Sequence, residues 1–109
     1  MKSKRKRPEH DLQDAILTYL KIRHIFAWRQ NSGAAKFKNH FVRFGIPGIS
    51  DILGIIPGDG NGKFLAIEVK SPLGKLTPYQ KDFLDRIKQA GGVAIIARNL
   101  DDVINGLPD

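Results

Sequence analysis

Two apolar runs joined by a short polar turn lie at the centre of this sequence, and they constrain the fold more than any other segment. The runs cover residues 50–56 and 63–70. The segment between them, residues 57–62, ends in Asn61-Gly62, a dipeptide that favours a tight reversal between two strands. The pattern therefore predicts an antiparallel hairpin at the centre of the fold.

Charged residues interrupt both runs of this hairpin. Because side chains alternate between the two faces of a strand, Glu68 and Lys70 share one face of the second strand, and its other face is wholly apolar. An unpaired charge is costly to bury, so both side chains need partners or a water-filled cleft. Asp51 is the acid of the first strand, and a suitable register would bring it close to them.

This combination of residues is suited to phosphodiester chemistry. Two carboxylates with nearby carbonyl oxygens form a hard-oxygen site for Mg²⁺ or Mn²⁺. A lysine on the same face adds a cation that could orient or deprotonate a water attacking phosphorus. For any one of Asp51, Glu68 and Lys70, an ordinary salt bridge on a solvated sheet face is the simpler interpretation. The three together, in a basic chain, favour the functional one.

A helix is predicted after the hairpin, over residues 78–90. Thr77 is a suitable N-cap, Pro78 occupies the first helical position, and Gln80 completes a capping box. The inward side chains are predicted to be Phe83, Leu84, Ile87 and Ala90, and Gly91-Gly92 ends the helix. Gln80 also lies at helical spacing from the buried positions, so a role in the capping box and an inward role near Glu68 both stay open.

Another helix is predicted from Pro8 to about Arg23. Its buried stripe consists of Leu12, Ile16, Tyr19 and Leu20. Glu9 lies on or beside that stripe, so it is the acid of this helix that can point inward. A first-turn glutamate that complements the helix dipole is an equally good interpretation.

The remaining segments complete an α/β pattern. Strands are predicted at 24–29, 41–44 and 93–97, a loop at 30–39, and a short helix at 100–104. The order of elements predicts a single domain with a mixed β-sheet flanked by helices. No internal repeat or interdomain linker divides the 109 residues.

Charge is distributed unevenly along the chain. The net charge is +7, and residues 1–43 carry 11 basic and 3 acidic side chains against 7 and 8 in residues 44–109. Such clustering, with a pI near 9.9, favours nucleic-acid binding. Residues 1–7 are predicted to form a flexible basic arm. Candidate phosphate contacts in the loop region are Arg29, Asn31, Lys36 and Lys38.

Composition excludes several other classes of protein. The sequence has no cysteine, which rules out disulfides and thiolate zinc sites, and its three histidines have no paired ligand spacing. No run approaches the roughly 20 apolar residues of a membrane helix, and the basic N-terminus lacks the apolar stretch of a secretory signal. We therefore expect a soluble cytoplasmic protein without a membrane partner.

Several motifs together resemble one nuclease family. Asp51 followed by Glu68-Val69-Lys70 resembles the PD-(D/E)xK nuclease signature. The wider pattern is similar to the VRR-NUC family, the virus-type replication-repair nuclease domain. It consists of Glu9 with Gln13, then GIPGISD, AIEVKSPLGKLTPYQ and a closing GGVAIIA. The resemblance covers residues 9 to about 104. One departure is Ser50, which stands where the family usually has proline; it loosens the entry to the strand but leaves the acid in place.

The resemblance implies a restriction-endonuclease-like core that uses Mg²⁺, or Mn²⁺ in its place, to hydrolyse DNA. The implied metal ligands are Asp51, Glu68 and the Val69 carbonyl, with Glu9 assisting. Lys70 would activate water and Gln80 would support the site.

The resemblance also indicates what such a chain acts on. Standalone members, often phage-encoded, resemble dimeric Holliday-junction resolvases. The expectation is therefore a homodimer of phage or bacterial type that acts on branched DNA in the cytoplasm. A non-catalytic nucleic-acid-binding module and a sequence-specific restriction-type endonuclease are the alternatives.

Overall fold

A four-stranded mixed sheet forms the centre of the computed structural model, which describes the backbone of residues 8–30, 33–37 and 40–109 and the side chains of residues 9–30 and 45–109. The elements in chain order are α1 (Pro8–Ile22), β1 (Phe26–Arg29), β2 (Gly33–Phe37), β3 (His40–Phe44), β4 (Ile52–Ile56), β5 (Lys63–Val69), α2 (Pro78–Gln89), β6 (Val93–Ala97) and α3 (Leu100–Gly106). The predicted basic arm, residues 1–7, lies outside the described residues.

The strand order in the central sheet is β1-β4-β5-β6. β4 and β5 pair antiparallel, with Ile52 opposite Ile67 and Leu53 opposite Ala66, which confirms the predicted hairpin. β6 returns parallel to β5 after the α2 crossover, so the sheet is mixed as the sequence predicts. β2 and β3 form a separate two-stranded antiparallel sheet.

Helices cover the central sheet on both faces. α1 and α3 pack on one face of the sheet. The core between these helices and the sheet includes Ile16, Leu20, Ile52, Leu65, Ile67, Val69, Ile95 and Val103. α2 packs on the other face over a smaller group, Leu53, Ala66, Phe83 and Leu84, with Trp28, Ile49 and Ile87 at its margin. Each fully buried aliphatic side chain contributes about 1.5–3 kcal/mol. The α1/α3 face therefore supplies most of the hydrophobic stabilisation, and the α2 face has room for polar residues.

The end of α1 differs from the prediction. A strand is predicted from His24, but β1 begins at Phe26, and His24 has a left-handed φ of 61°. The Ile25 N–H donates to the Leu20 carbonyl at 2.9 Å, which closes the helix with a Schellman-type turn. His24 therefore caps α1 and cannot also extend β1. Among the described residues, no helix has the length and apolar character to cross a bilayer.

The predicted loop at residues 30–39 is wrong over its middle part. Residues 33–37 form β2, paired with β3 from Gly33–Phe44 to Phe37–His40. The segment GAAKF contains no β-branched residue, so its sequence carries little strand propensity, and pairing with β3 determines its conformation.

The predicted capping box of α2 is confirmed. The Gln80 N–H donates to the Thr77 Oγ1 at 3.1 Å, and the Thr77 N–H donates to the Gln80 Oε1 at 2.9 Å. Ala90 is exposed rather than inward, because the helix ends at Gln89 and Ala90 is its C-cap. The inward positions of α2 are Phe83 and Leu84, with Ile87 half-buried.

Candidate functional site

The two acids of the central hairpin meet where β4 begins and β5 ends. Because Ile52 pairs with Ile67, continuing the register by one residue places Asp51 beside Glu68. The Asp51 Oδ2 accepts a hydrogen bond from the Val69 N–H at 2.8 Å, which fixes this carboxylate against the end of β5. The structure therefore supplies the register that alternation alone left open.

Glu68 is buried on the polar part of the α2 face. Only 3% of its surface is exposed; the Gln80 Nε2 donates to its Oε2 at 3.1 Å, and its buried Oε1 has no hydrogen-bond partner among the described residues. The pKa of the Glu68 carboxyl is raised to about 8, first by burial and then by the Asp51 carboxylate, whereas the Lys70 ammonium lowers it. In the absence of a cation, this carboxyl therefore retains its proton near neutral pH.

Lys70 and Glu9 lie at the rim of this acidic pair. Both are close enough to Glu68 for their charges to affect its pKa, in opposite directions. The Lys70 N–H donates to the Ala97 carbonyl at 3.0 Å, so it continues the pairing of β5 with β6. Glu9 is exposed rather than inward, yet its Oε2 accepts from the Ser71 N–H at 3.0 Å. The first turn of α1 is thereby tied to the end of β5.

Gln80 performs both of the roles that the sequence left open. Its Oε1 accepts from the Thr77 N–H and closes the capping box, while its Nε2 donates to Glu68. A capping box accepts either glutamate or glutamine at this position. Only the amide has a donor left for the Glu68 carboxyl. The site therefore explains why the residue is glutamine.

The loop before β4 packs directly against the first turn of α2. Gly48 has a left-handed φ of +77°, and a Cβ added there would lie 2.2 Å from the Tyr79 carbonyl oxygen. Only glycine fits this contact. Ser50 follows, fully buried, and its hydroxyl has no partner among the described residues. This loop delivers Asp51 to the hairpin and holds the helix that carries Gln80.

Arg98 is a residue near the site that the sequence interpretation missed. It follows β6 directly, and its Nη1 donates at 2.7 Å to both the Ser71 and the Gly74 carbonyls. The signal in the sequence was weak: a single arginine after a buried strand, whose partners are backbone atoms 24 and 27 residues away.

Comparison with known proteins identifies the family. The family model described as the VRR-NUC domain matches residues 4–99. The chain belongs to the VRR-NUC domain family. A solved structure titled "VRR_NUC domain protein" has the same fold, with a TM-score of 0.56 and 23% sequence identity over 94% of this chain and 86% of that one. No curated protein matches the sequence. The VRR-NUC family is of nuclease type, and its model spans all five clustered side chains, Glu9, Asp51, Glu68, Lys70 and Gln80.

The donor atoms of the candidate site can be compared with those that a hard divalent cation prefers. Within residues 9–30 and 45–109, no three histidine or carboxylate side chains are grouped to hold a metal. Two carboxylates do stand together, and the buried Glu68 Oε1 has no hydrogen-bond partner in the part of the chain that the structure describes. A cation there would stabilise the ionised form of Glu68, whose pKa is raised first by burial and then by the Asp51 carboxylate. The residues present fit such an ion if backbone carbonyl and water oxygens complete its coordination.

Of the four residues predicted to contact phosphate in this VRR-NUC domain, the structure describes the side chain of one, Arg29. The Arg29 side chain is engaged within the fold, since its Nε donates to the Gln13 Oε1 at 2.7 Å and its Nη2 to the Asp14 Oδ1 at 2.5 Å. Lys36 lies on β2, in the hairpin, and its side chain is outside the described set. Asn31 and Lys38 lie outside the described residues altogether.

Proposed function

We propose that this VRR-NUC domain is a metal-dependent DNA endonuclease that hydrolyses phosphodiester bonds. The observation that carries the proposal is the buried Glu68 carboxyl, beside a second acid and a lysine, with one oxygen that has no hydrogen-bond partner among the described residues. A buried acid held in that way costs stability. Such a cost is typical of a functional site in an otherwise well-packed protein.

The proposed metal ligands are Asp51, Glu68 and the Val69 carbonyl, with Glu9 assisting from the rim. Mg²⁺, or Mn²⁺ in its place, would supply Lewis-acid stabilisation of the charge that develops on the phosphate oxygens. Lys70 orients the attacking water or takes its proton. Gln80 donates to the Glu68 Oε2 at 3.1 Å, and the Oε1 would be the oxygen that binds the metal.

The proposed substrate is branched DNA, with a four-way junction as the preferred form. The net charge of +7 supports association with a polyanion. A single domain of 109 residues presents one site, and a symmetric homodimer would present two sites to two strands. As a protein of phage or bacterial type, it would meet this substrate in the cytoplasm.

The test compares wild-type protein with Asp51→Asn on linear, flapped and four-way DNA, with and without Mg²⁺. We expect cleavage of the junction only with the metal. Asp51→Asn should reduce its rate by about 10³-fold or more while DNA affinity is kept or increased, because a charge that repels phosphate is removed.

The matched control is Asp59→Asn, the same change in the exposed turn at the other end of the hairpin, which should cut normally. Wild-type cleavage rates in Asp51→Asn would contradict the proposed site. Salt-sensitive binding with no nicking even in Mn²⁺ would indicate a binding module instead. Cleavage of linear duplexes at one motif would indicate a restriction-type enzyme.

A further inference from the structure

We propose that Arg98 is a positioning residue of this site, which acts by fixing the turn that supports Lys70 and Glu9. The proposal rests on the nuclease function given above, and it assigns a role to a residue outside the acidic cluster. Arg98 lies in the segment between β6 and α3, one residue beyond the Ala97 carbonyl that accepts from the Lys70 N–H.

The guanidinium of Arg98 binds both ends of one tight turn. Residues 71–74 form a β-turn in which the Gly74 N–H donates to the Ser71 carbonyl at 3.0 Å. The Arg98 Nη1 donates to the carbonyls of the first and last residues of the turn, each at 2.7 Å, and approaches that of Pro72 at 3.4 Å. Among the described residues, these carbonyls are the only acceptors of its guanidinium. The bonds therefore fix the turn in place against the end of β6.

This turn lies next to two side chains of the candidate site, Glu9 and Lys70. The Ser71 N–H donates to the Glu9 Oε2 at 3.0 Å. The turn also lies beside the aliphatic stem of Lys70, since a Cβ added to Gly74 would come into van der Waals contact with the Lys70 Cδ, at 3.5 Å. A lysine side chain has four rotatable bonds and loses much rotamer freedom when its ammonium is confined. The turn supports one side of that stem and so limits where the ammonium can point.

The backbone of Arg98 is itself fixed by hydrogen bonds at the start of α3. Its N–H donates to the Asp102 Oδ2 at 2.8 Å, and the Asp102 N–H donates to the Asn99 Oδ1 at 2.9 Å, which caps α3. The backbone from which the guanidinium extends is therefore fixed at the first turn of α3. One planar side chain with several donors therefore joins α3 to the turn at 71–74.

The test uses Arg98→Ala and Arg98→Lys, with Arg86→Ala as the matched control. Arg86 lies exposed on α2 and pairs with Asp82 at 3.0 Å, so its loss removes the same charge from a surface position. For junction cleavage in Mg²⁺ we expect kcat to fall about 10–100-fold in Arg98→Ala, the range found for groups that orient metal-site residues. KM should stay within about twofold, and Arg98→Lys should recover part of the rate.

A second measurement does not depend on activity. Amide hydrogen exchange in the metal-free protein should show faster exchange at Ser71 and Gly74 in Arg98→Ala, with no change at Ile67 in the core of β5. Unchanged exchange at the turn would overturn the proposal, because Arg98 would then not fix the turn. An equal loss of protection at Ile67 would also overturn it, because Arg98 would then stabilise the fold as a whole. An unchanged kcat with faster exchange at the turn would also overturn it. If the wild-type protein cuts no DNA, the nuclease function fails, and the exchange experiment alone decides whether Arg98 fixes the turn.

Discussion

The two ends of the β4–β5 hairpin are built on opposite principles. At the turn end, Ile55 is 43% exposed and Phe64 38% exposed, although both are large apolar residues. At the open end, the carboxylic acid Glu68 is only 3% exposed. Hydrophobic burial alone would favour the reverse arrangement. The comparison shows that Glu68, which α2 contacts, is more deeply buried than the two apolar residues near the turn, which stay partly exposed.

The contacts of α2 explain this choice. Its first turn is fixed over the open end by Gly48, which packs against Tyr79, and by the amide of Gln80, which reaches Glu68. Its last turn packs Ile87 into the space left by the missing Cβ of Gly92, beside the Phe64 carbonyl. The helix therefore extends along this face of the hairpin, and its polar contact to Glu68 lies at the charged end.

The largest effect on this arrangement should come from Gly48→Ala. The added Cβ would collide with the Tyr79 carbonyl at 2.2 Å and would also occupy a left-handed φ of +77°, so α2 must move. We expect a loss of about 3 kcal/mol in the free energy of unfolding, measured in urea.

Gly60→Ala is the control for this change. Gly60 has a similar φ of +76°, and no atom lies within 4 Å of an added Cβ. Its cost should be the backbone strain alone, about 1 kcal/mol. Equal losses in the two variants would mean that the contact between Gly48 and α2 contributes nothing.

The pH dependence of stability should identify the buried acid. Since the pKa of Glu68 rises from 4.5 unfolded to about 8 folded, the folded protein binds the extra proton between these values. The free energy of unfolding should therefore fall as pH rises from 4.5 towards 8. Glu68→Gln removes this dependence and should be more stable than wild type by about 2 kcal/mol at pH 8, with little difference at pH 4.

This comparison is made by urea unfolding at both pH values in the presence of a chelator. Added Mg²⁺ should then narrow the difference at pH 8, since an ion bound to the ionised carboxylate stabilises the folded protein. Parallel stability profiles for wild type and Glu68→Gln between pH 4 and 8 would contradict the burial of an ionisable Glu68.

Ser50→Ala should stabilise the protein by about 1–2 kcal/mol. Its fully buried hydroxyl has no hydrogen-bond partner among the described residues, so removing it removes a desolvation cost. The expected sign is unusual for a buried position, and thermal unfolding would detect it as a higher midpoint. A lower midpoint would show that the hydroxyl is bonded in solution.

The smallest effect is expected at the apolar end of the hairpin. Ile55→Val should cost about 0.5 kcal/mol or less, because the side chain is already partly in water. Ile67→Val, the same deletion at a fully buried position of β5, should cost about 1 kcal/mol. Equal costs would show that the turn end is covered in solution, and the contrast between the two ends would then disappear.

Sequence alone predicts those parts of the molecule whose determinants are local. The hairpin follows from Asn61-Gly62 and the flanking alternation, and α2 follows from the Thr77 capping box. The nearness of the acids also follows in part, because alternation places Glu68 and Lys70 on one face. Their register with Asp51 depends on pairing, which no single segment determines.

The parts that sequence does not predict depend on distant partners. β2 is a strand because β3 pairs with it, and its small residues carry no signal of their own. Sequence left two interpretations of Glu9 open, an inward acid and a first-turn acid that complements the helix dipole, and its hydrogen bond to Ser71 joins residues 62 positions apart. Arg98 was missed for the same reason: its acceptors are backbone carbonyls, which every residue carries, so no residue type in the sequence marks them.

The double contact of Gln80 has a consequence for how this domain can vary. One amide initiates a helix through its oxygen and supports a buried acid through its nitrogen. Gln80→Met would weaken both contacts, whereas Gln80→Glu would keep the capping box with Thr77 and would lose only the donor to Glu68. Replacement of this glutamine by glutamate would therefore call for a compensating change at Glu68 but not at Thr77, whereas replacement by an apolar residue would disturb both positions.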